Sequence, residues 1–193
     1  MSTIDAPLNS RRIMITRPNN QAGDFEYFLR ENGAETVSFP LISISAPENW
    51  IQLDNSIKRL EEYDWLVFTS VNGVSFFEQR MRFLGEKEKF LSSKCKIISI
   101  GPVTSKEIES TLGKKVYACP EEYTSEGIID LLNGTNIEDD SFLLPRAAVA
   151  REFLPEGLKS LGAKVQVVPA YQTEFVKFSK DSRFFDLLLG GEI

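Results

Sequence analysis

Histidine is absent from the 193-residue chain, and this absence excludes several kinds of chemistry at once. Ser-His-Asp and Cys-His nucleophilic sites need an imidazole, as do zinc sites built on histidine. The two cysteines, Cys95 and Cys119, lie far apart without a CxxC spacing, so we interpret them as small core residues. Any catalysis must therefore use carboxylates, hydroxyls, phenols, Lys, Arg or backbone amides.

Basic charge and long apolar runs are also missing. The formal net charge is −6, which argues against general nucleic-acid binding because that function needs a basic surface. Residues 1–12 contain no apolar core of a secretory signal, and no apolar run approaches the roughly 18 residues that a membrane span needs. The sequence therefore predicts a cytoplasmic protein that binds neither nucleic acid nor membrane.

Phosphate-binding loops are absent as well. The segment Gly101-Pro102-Val103-Thr104 lacks the GxxxxGK[ST] spacing of a P-loop, and no GxGxxG follows the first predicted strand. The sequence therefore gives little support to mononucleotide or dinucleotide binding.

One phrase occurs twice in the chain, and the copies are 129 positions apart without a gap. Each copy reads as a strand, a helix, a glycine turn and a second strand. This spacing exceeds the period of a solenoid, so it predicts two similar α/β halves that face a ligand-binding cleft. The matched pairs are Arg17 with Arg146, Leu29 with Leu158, Gly33-Ala34 with Gly162-Ala163, and Pro40 with Pro169.

The repeat also predicts where the second half stops. The first copy is followed by a helix and by an apolar strand that begins at Asp64, and the equivalent of Asp64 in the second half is position 193, the last residue. The second copy is followed only by a helix-like segment at 181–189. We therefore expect the terminal domain to be truncated; the alternative is a degenerate, shorter second half.

The alternation of strand-like and helix-like runs predicts doubly wound α/β units with parallel sheets, because several strands are continuously apolar. The predicted strands are 12–16, 35–44, 64–69, 95–100, 115–118, 141–145 and 164–175, and the predicted helices are 21–32, 48–62, 71–84, 102–112, 125–133, 148–161 and 181–189.

Two predicted strands, Val37 to Ala46 and Val165 to Phe175, each carry a central proline, which suits a central strand poorly. They occupy matching places in the repeat, so we interpret them as a two-stranded connector between two flavodoxin-like domains. The first domain would comprise 1–44 plus 169–193 and be incomplete, and 45–168 would be an inserted second domain.

The turns after the parallel strands are rich in small and hydroxylic residues, and such turns meet at the carboxyl edge of the sheet. Ser70, Thr104, and Thr124 or Ser125 are predicted helix N-caps, whose helices would direct free N–H groups at one place. Four such turns favour an anion-binding cleft over capping alone. The candidate binding residues are Arg17, Thr69, Ser70, Asn72, Gly73, Gly101, Thr104, Ser125, Arg146 and Ala147.

Three of the candidates have specific roles or alternatives. Arg17 and Arg146 end equivalent strands, and each either binds a ligand carboxylate or pairs with a structural Asp or Glu. Tyr171 follows Pro169, and its repeat partner is Ile42. Because histidine is absent, a phenol near a cleft is the best single candidate for proton transfer. Packing of an amphipathic Tyr at a domain boundary is the alternative.

Several phrases of the chain match the uroporphyrinogen-III synthase family in order and spacing, so the chain resembles that family. No single phrase is decisive, but together they span nearly the whole chain. They are ITRP at 15–18, ENGAETVSFPLISI at 31–44, LEEYDWLVFTSVNGVSFF at 60–77, KIISIGPVTSKEI at 96–108, a weaker SEGIIDLL at 125–132, and LLPRAAVAREFLPEGLKSLGAKVQVVPAYQT at 143–173.

The resemblance implies two α/β domains joined by a two-stranded ladder, an active site between them, and no metal or organic cofactor. The implied substrate is hydroxymethylbilane, a linear tetrapyrrole with eight carboxylates. Loss of its hydroxyl gives an azafulvene-type cation, and ring closure through a spiro intermediate inverts ring D. The family's YQT motif maps to 171–173, which implies that Tyr171 assists departure of the hydroxyl.

The chain departs from the family pattern at its C-terminus, because members continue with a second hydroxyl-rich turn and a second small-residue turn. We therefore expect the inserted domain to fold and the 193-residue chain to be inactive or nearly so by itself. Full-length members are expected to be monomers. An incomplete domain exposes apolar sheet, which favours association with another chain.

Two other interpretations stay open. A non-catalytic ligand-binding or scaffold module with the same architecture differs from the enzyme only in turnover. A flavodoxin-like regulatory domain is the other, but the chain lacks the expected acidic cluster after the first strand, and a single-domain plan does not explain the repeat.

Overall fold

The computed structural model describes residues 6–177 and 188–190. The chain divides into two units, Met1–Ile44 with Thr173–Ile193, and Ser45–Gln172. The predicted α/β class with parallel sheets is confirmed. Most of the helix predicted at 181–189 lies outside the described residues.

The first unit contains a strand-helix-strand motif. Strands β1 (Arg12–Ile15) and β2 (Glu35–Ser38) are parallel, and helix α1 (Gly23–Glu31) connects them. A small core holds the motif together, and it comprises Ile15, Ala22, Leu29 and Ala34. Gly33 makes the turn from α1 to β2 with a φ of +92°, a conformation that favours glycine.

Strand β3 (Ile42–Ser45) follows β2 after a short break at Phe39–Leu41, so the prediction of one strand over 35–44 is wrong. The break contains Pro40, which has no N–H to donate to a sheet ladder. Near the other end of this unit, the N–H of Val176 donates to the carbonyl of Leu41 over 3.0 Å.

The second unit contains a parallel sheet. Its strands are β4 (Trp65–Phe68), β5 (Lys96–Ser99), β6 (Ser141–Ala147) and β7 (Lys164–Phe175), and β7 continues into the first unit at residue 173. The complete strand order is β3-β7-β6-β4-β5. All four residues of β4 are buried, as the continuous apolar run predicts for a strand covered on both faces.

Helices cover this sheet on both faces. The described helices of the unit are α2 (Ile51–Lys58), α3 (Val71–Leu84), α4 (Lys87–Ser92), α5 (Pro102–Glu107) with a π-helical continuation at Ile108–Leu112, α6 (Ser125–Leu132) and α7 (Phe153–Ser160). The predicted helices at 48–62, 102–112 and 148–161 are thus shorter or less regular than expected. Helix α4 was not predicted, and the Lys114 amine fixes its end by donating to the Phe90 and Ser93 carbonyls.

Two strand predictions in this unit need correction. The strand expected at 115–118 is reduced to a single parallel bridge between Ala118 and Ile98. The prediction that the proline-containing segment 165–175 suits a central strand poorly is also wrong. It forms β7, which pairs with β6 on one side and neighbours β3 on the other. An irregularity in the register between Arg146 and Ala147 accommodates Pro169.

Candidate active site

Four helices of the second unit begin at the same edge of its sheet. Helices α3, α5 and α7 follow β4, β5 and β6, and α6 follows the bridge at Ala118. Because these strands are all parallel, each chain segment leaves the sheet at the carboxyl edge. The topology therefore brings most of the predicted turns of this unit to one edge.

The strand order reverses between β4 and β6, which makes this position a topological switch point. The chain moves from β4 outward to β5 on one side, and then returns to β6 on the other side of β4. The ladder between β4 and β6 consists of Trp65 with Phe142 and Leu66 with Leu143. It therefore stops before Pro145, which cannot donate. Ligands of doubly wound sheets bind at such crevices.

Ser70 begins helix α3 beside this crevice. Its backbone is extended, with φ −165° and ψ 154°, and its hydroxyl accepts a hydrogen bond of 3.1 Å from the Gly73 N–H. The predicted N-cap is therefore confirmed. Gly73 is needed for close packing, since a Cβ there would lie 3.0 Å from the Pro145 carbonyl oxygen on β6. The sequence thus places the positive end of a 14-residue helix at the switch point.

Tyr171 reaches the same place from β7. Its phenol oxygen lies 3.0 Å from Ser70 Oγ, and its ring stacks on Phe76 with 5.9 Å between the ring centroids. The side chain is buried, at 8% exposure. Its carbonyl accepts a hydrogen bond of 2.8 Å from the Ala148 N–H, just past the end of β6. Elements distant in sequence therefore meet at one hydroxyl pair.

Phe76 was missed by sequence reasoning. The available signal was helical spacing, because Phe76 is three residues after Gly73 and lies on the same face of α3. Its contact with Tyr171 depends on how β7 is positioned, which no local pattern shows.

The other residues of the α3 turn lie at the same edge. Thr69 and Asn72 are half-buried on either side of the Ser70 cap, and Ala147 is half-buried at the end of β6, where it pairs in register with Tyr171. Together with Ser70 and Gly73, these predicted residues surround the crevice.

The turns that begin α5 and α6 differ in their caps. Thr104 is inside α5 and buried, so its prediction as an N-cap is wrong; Gly101 occupies that position, and its Cα faces the ring of Tyr123. Thr124 caps α6 by accepting a 3.0 Å hydrogen bond from Gly127, and Ser125 is the first helical residue.

The two arginines have different surroundings. Arg146 is buried, forms an ion pair with Glu152 and donates to the Arg151 carbonyl over 2.6 Å. Arg146 was expected either to bind a ligand carboxylate or to pair with a structural Asp or Glu, and in the structure it pairs with Glu152. Arg17 follows β1 in the first unit and is exposed.

A cavity of about 550 Å³ lies at the opposite, amino edge of the sheet. Some of its charged groups have partners within the protein: Lys89 pairs with Glu61 over 2.7 Å, and Asp140 accepts from the Trp65 indole over 2.7 Å. Among the residues that the structure describes, no three His, Cys, Asp or Glu side chains cluster as metal ligands would, and no helix has the length and apolarity to cross a membrane.

The cysteines differ in reactivity in a way that can be measured. Burial raises the pKa of the Cys95 thiol to about 12, so it stays protonated, and therefore unreactive, throughout the pH range in which the protein is handled. Cys119 is partly exposed. We expect one rapidly modified thiol per native chain at pH 8 and two after denaturation. Cys119→Ser should abolish the rapid reaction; a rapid reaction that survives in this variant would contradict the burial of Cys95.

The fold and the edge described above define a class: a two-unit α/β protein in which several helices begin at the carboxyl edge of a doubly wound sheet, beside its switch point. A sequence model described as uroporphyrinogen-III synthase HemD matches residues 24–193. The chain belongs to the uroporphyrinogen-III synthase family.

Individual relatives agree with this assignment. The chain is 29% identical over 170 residues to a uroporphyrinogen-III synthase of Synechococcus elongatus, covering 88% of this chain and 63% of the relative. It is 32% identical over 160 residues to a putative uroporphyrinogen-III synthase of Methanothermobacter thermautotrophicus, covering 82% and 61%. The chain thus spans about three fifths of the length of these relatives.

Solved structures share the fold. A uroporphyrinogen III synthase of Thermus thermophilus superposes with a TM-score of 0.68 at 16% identity, covering 95% of this chain and 70% of that one. A uroporphyrinogen-III synthetase of Helicobacter pylori gives a TM-score of 0.51 at 15% identity, covering 76% and 58%.

Proposed function

We propose that the protein is a uroporphyrinogen-III synthase that cyclises hydroxymethylbilane to uroporphyrinogen III, with loss of water and inversion of ring D. The observation that carries the proposal is the pairing of Tyr171 with the α3 N-cap at the switch point, in a chain of this family. The enzyme acts in the cytoplasm as a step of tetrapyrrole and haem biosynthesis.

The carboxylates of the substrate are bound chiefly by backbone amides at helix starts. The first N–H groups of a helix have no intrahelical partner, and the helix dipole adds a positive potential there. This binding mode suits a chain of net charge −6, because it needs no basic surface. The eight-residue α6 supplies a second such start at the same edge. The proposed binding residues are Arg17, Thr69, Ser70, Asn72, Gly73, Gly101, Ser125 and Ala147.

Tyr171 is the proposed acid. Its phenol gives a proton to the hydroxyl of the bilane, which leaves as water, and the bilane becomes an azafulvene-type cation. Ring D attacks through its substituted carbon, and the spiro intermediate fragments and recloses. The proton lost when the new ring system regains aromaticity returns to the phenolate, so the cycle consumes no acid. The protein supplies the rest of the rate enhancement by holding the two ends of the linear bilane together and by excluding water from the cation.

The alternative is a non-catalytic ligand-binding module of the same fold. Both proposals predict binding of a bilane analogue that lacks the leaving hydroxyl, and they differ in the product. If the protein is the enzyme, hydroxymethylbilane should yield mainly the type III isomer. If it is a binding module, the product should be the symmetric type I isomer of the uncatalysed reaction.

The test combines two assays on the 193-residue chain and on a full-length version: calorimetric binding of the analogue, and separation of the isomers by chromatography after oxidation. Type III in excess from either protein supports the enzyme, and binding with type I alone from both supports the module. Absence of binding contradicts both. The same assay decides whether the 193-residue chain is active by itself.

A further inference from the structure

The hydroxyl of Ser70 lies between a backbone amide and the phenol of Tyr171. Gly73 N–H donates to Ser70 Oγ over 3.1 Å, and Ser70 Oγ lies 3.0 Å from the phenol oxygen. We propose that Ser70 is a positioning residue that donates its hydrogen to Tyr171, so that the phenol's own hydrogen is free to reach the leaving hydroxyl. The inference rests on the proposed function, because it concerns the acid of that reaction.

The distance alone permits either hydroxyl to donate, so other features must decide. A serine oxygen has one hydrogen to give, and here it already accepts from Gly73. If Tyr171 donated to Ser70, the Ser70 hydrogen would need a further acceptor. Donation from Ser70 to Tyr171 instead leaves the phenol's hydrogen for the substrate, which is the arrangement that a general acid needs.

The helix favours the same direction. Ser70 caps the N-terminus of α3, where the dipole places partial positive charge. A hydroxyl hydrogen is repelled from that end, so it points away from the helix, and Tyr171 is the group on that side. A hydroxyl that accepts from a backbone amide also becomes a stronger donor.

The ring of Tyr171 is held so that this geometry persists. Phe76, on the second turn of α3, stacks on it with an angle of 15° between the ring planes. The cap residue and the stacking residue belong to one helix, so the oxygen and the ring are positioned by the same rigid element. The 8% exposure of Tyr171 indicates that little water competes for its oxygen.

The consequence for the reaction is a division of roles. Tyr171 gives up its proton, and the negative charge that develops on its oxygen is stabilised by the hydrogen bond from Ser70. Ser70 keeps its own hydrogen throughout and does not contact the substrate oxygen in this step. It acts through Tyr171 and is a positioning residue, separate from any contact of the α3 amides with carboxylates.

A vibrational experiment tests the direction of donation without any turnover. The phenol C–O stretch has a lower frequency when the oxygen accepts a hydrogen bond than when the hydroxyl donates one. The infrared spectrum of the chain minus that of Tyr171→Phe isolates the Tyr171 band. We expect the band of an acceptor, and a shift to higher frequency in Ser70→Ala. A donor band, or a band that Ser70→Ala leaves unchanged, would overturn the inference.

Kinetics provide the second readout. In a full-length version, Ser70→Ala should lower kcat about tenfold with little change in KM, the effect of one lost hydrogen bond. Ser70→Thr should recover most of the lost kcat because the hydroxyl is retained. Thr124→Ala is the matched control for loss of a helix cap, since Thr124 makes the equivalent bond to Gly127 on α6. This control should leave the Tyr171 band in place.

Failure of the inference is distinguishable from failure of the proposed function. If Tyr171→Phe is impaired and Ser70→Ala is not, the phenol acts without help from Ser70 and the inference is wrong. If Tyr171→Phe cyclises hydroxymethylbilane as the parent chain does, the acid assignment itself is wrong, whatever the vibrational spectrum shows.

Discussion

In a full-length version of the protein, Tyr171→Phe should lower the rate of uroporphyrinogen III formation about a hundredfold or more, the usual effect of losing a general acid. Only the hydroxyl is removed, and the ring can still stack on Phe76. Loss of the hydroxyl removes one hydrogen bond, so we expect the free energy of unfolding to fall by only about 1 kcal/mol. Bilane that the variant fails to convert cyclises without inversion, so the fraction of type I isomer should rise.

The measurement is the isomer ratio and initial rate at saturating hydroxymethylbilane, with thermal unfolding followed in parallel. Tyr117→Phe is the matched control, because Tyr117 is exposed and contacts Trp65 and Lys96 away from the candidate site. An unchanged rate and isomer ratio in Tyr171→Phe would show that Tyr171 only packs against α3.

Ser70→Pro should weaken binding of a non-cyclising bilane analogue at least tenfold, the largest binding effect that we expect from a single substitution. Proline holds φ near −65°, whereas Ser70 has a φ of −165°, so the turn into α3 must change its path. The cap to Gly73 is lost at the same time, which costs the helix about 1 kcal/mol. The amides at the start of α3 then no longer point at the crevice.

The control is Lys106→Ala, which removes a positive charge from an exposed position of α5. If carboxylates are bound by helix amides, this variant should bind the analogue almost as well as the parent chain. A larger loss of affinity in Lys106→Ala than in Ser70→Pro would refute the helix-terminus mechanism. Circular dichroism shows whether Ser70→Pro is folded, so that the comparison with Lys106→Ala is made on folded protein.

Local patterns predicted the parts of the structure that depend on neighbouring residues. The apolar run at β4 predicted a strand buried on both faces, and the hydroxyls at Ser70 and Thr124 predicted helix caps. Both features follow from short stretches, because burial periodicity and N-cap geometry involve residues within one turn or strand.

Other features were predicted wrongly or were left open between two alternatives. Threonine is common at helix N-caps, but Pro102 begins the helix two residues before Thr104, so Thr104 lies inside the helix. The ion pair of Arg146 with Glu152 depends on the loop after β6. Pro169 argued against an interior strand, but a register irregularity opposite it lets β7 pair with β6.

The central claim, that the carboxyl edge at the switch point of the second unit binds the bilane, has a direct test by nuclear magnetic resonance. The ¹⁵N-labelled 193-residue chain is titrated with the analogue that lacks the leaving hydroxyl. We predict that the largest amide shifts occur at 70–73 and at Tyr171. Shifts concentrated at 94–96 beside the amino-edge cavity, or no shifts at millimolar analogue, would contradict the claim.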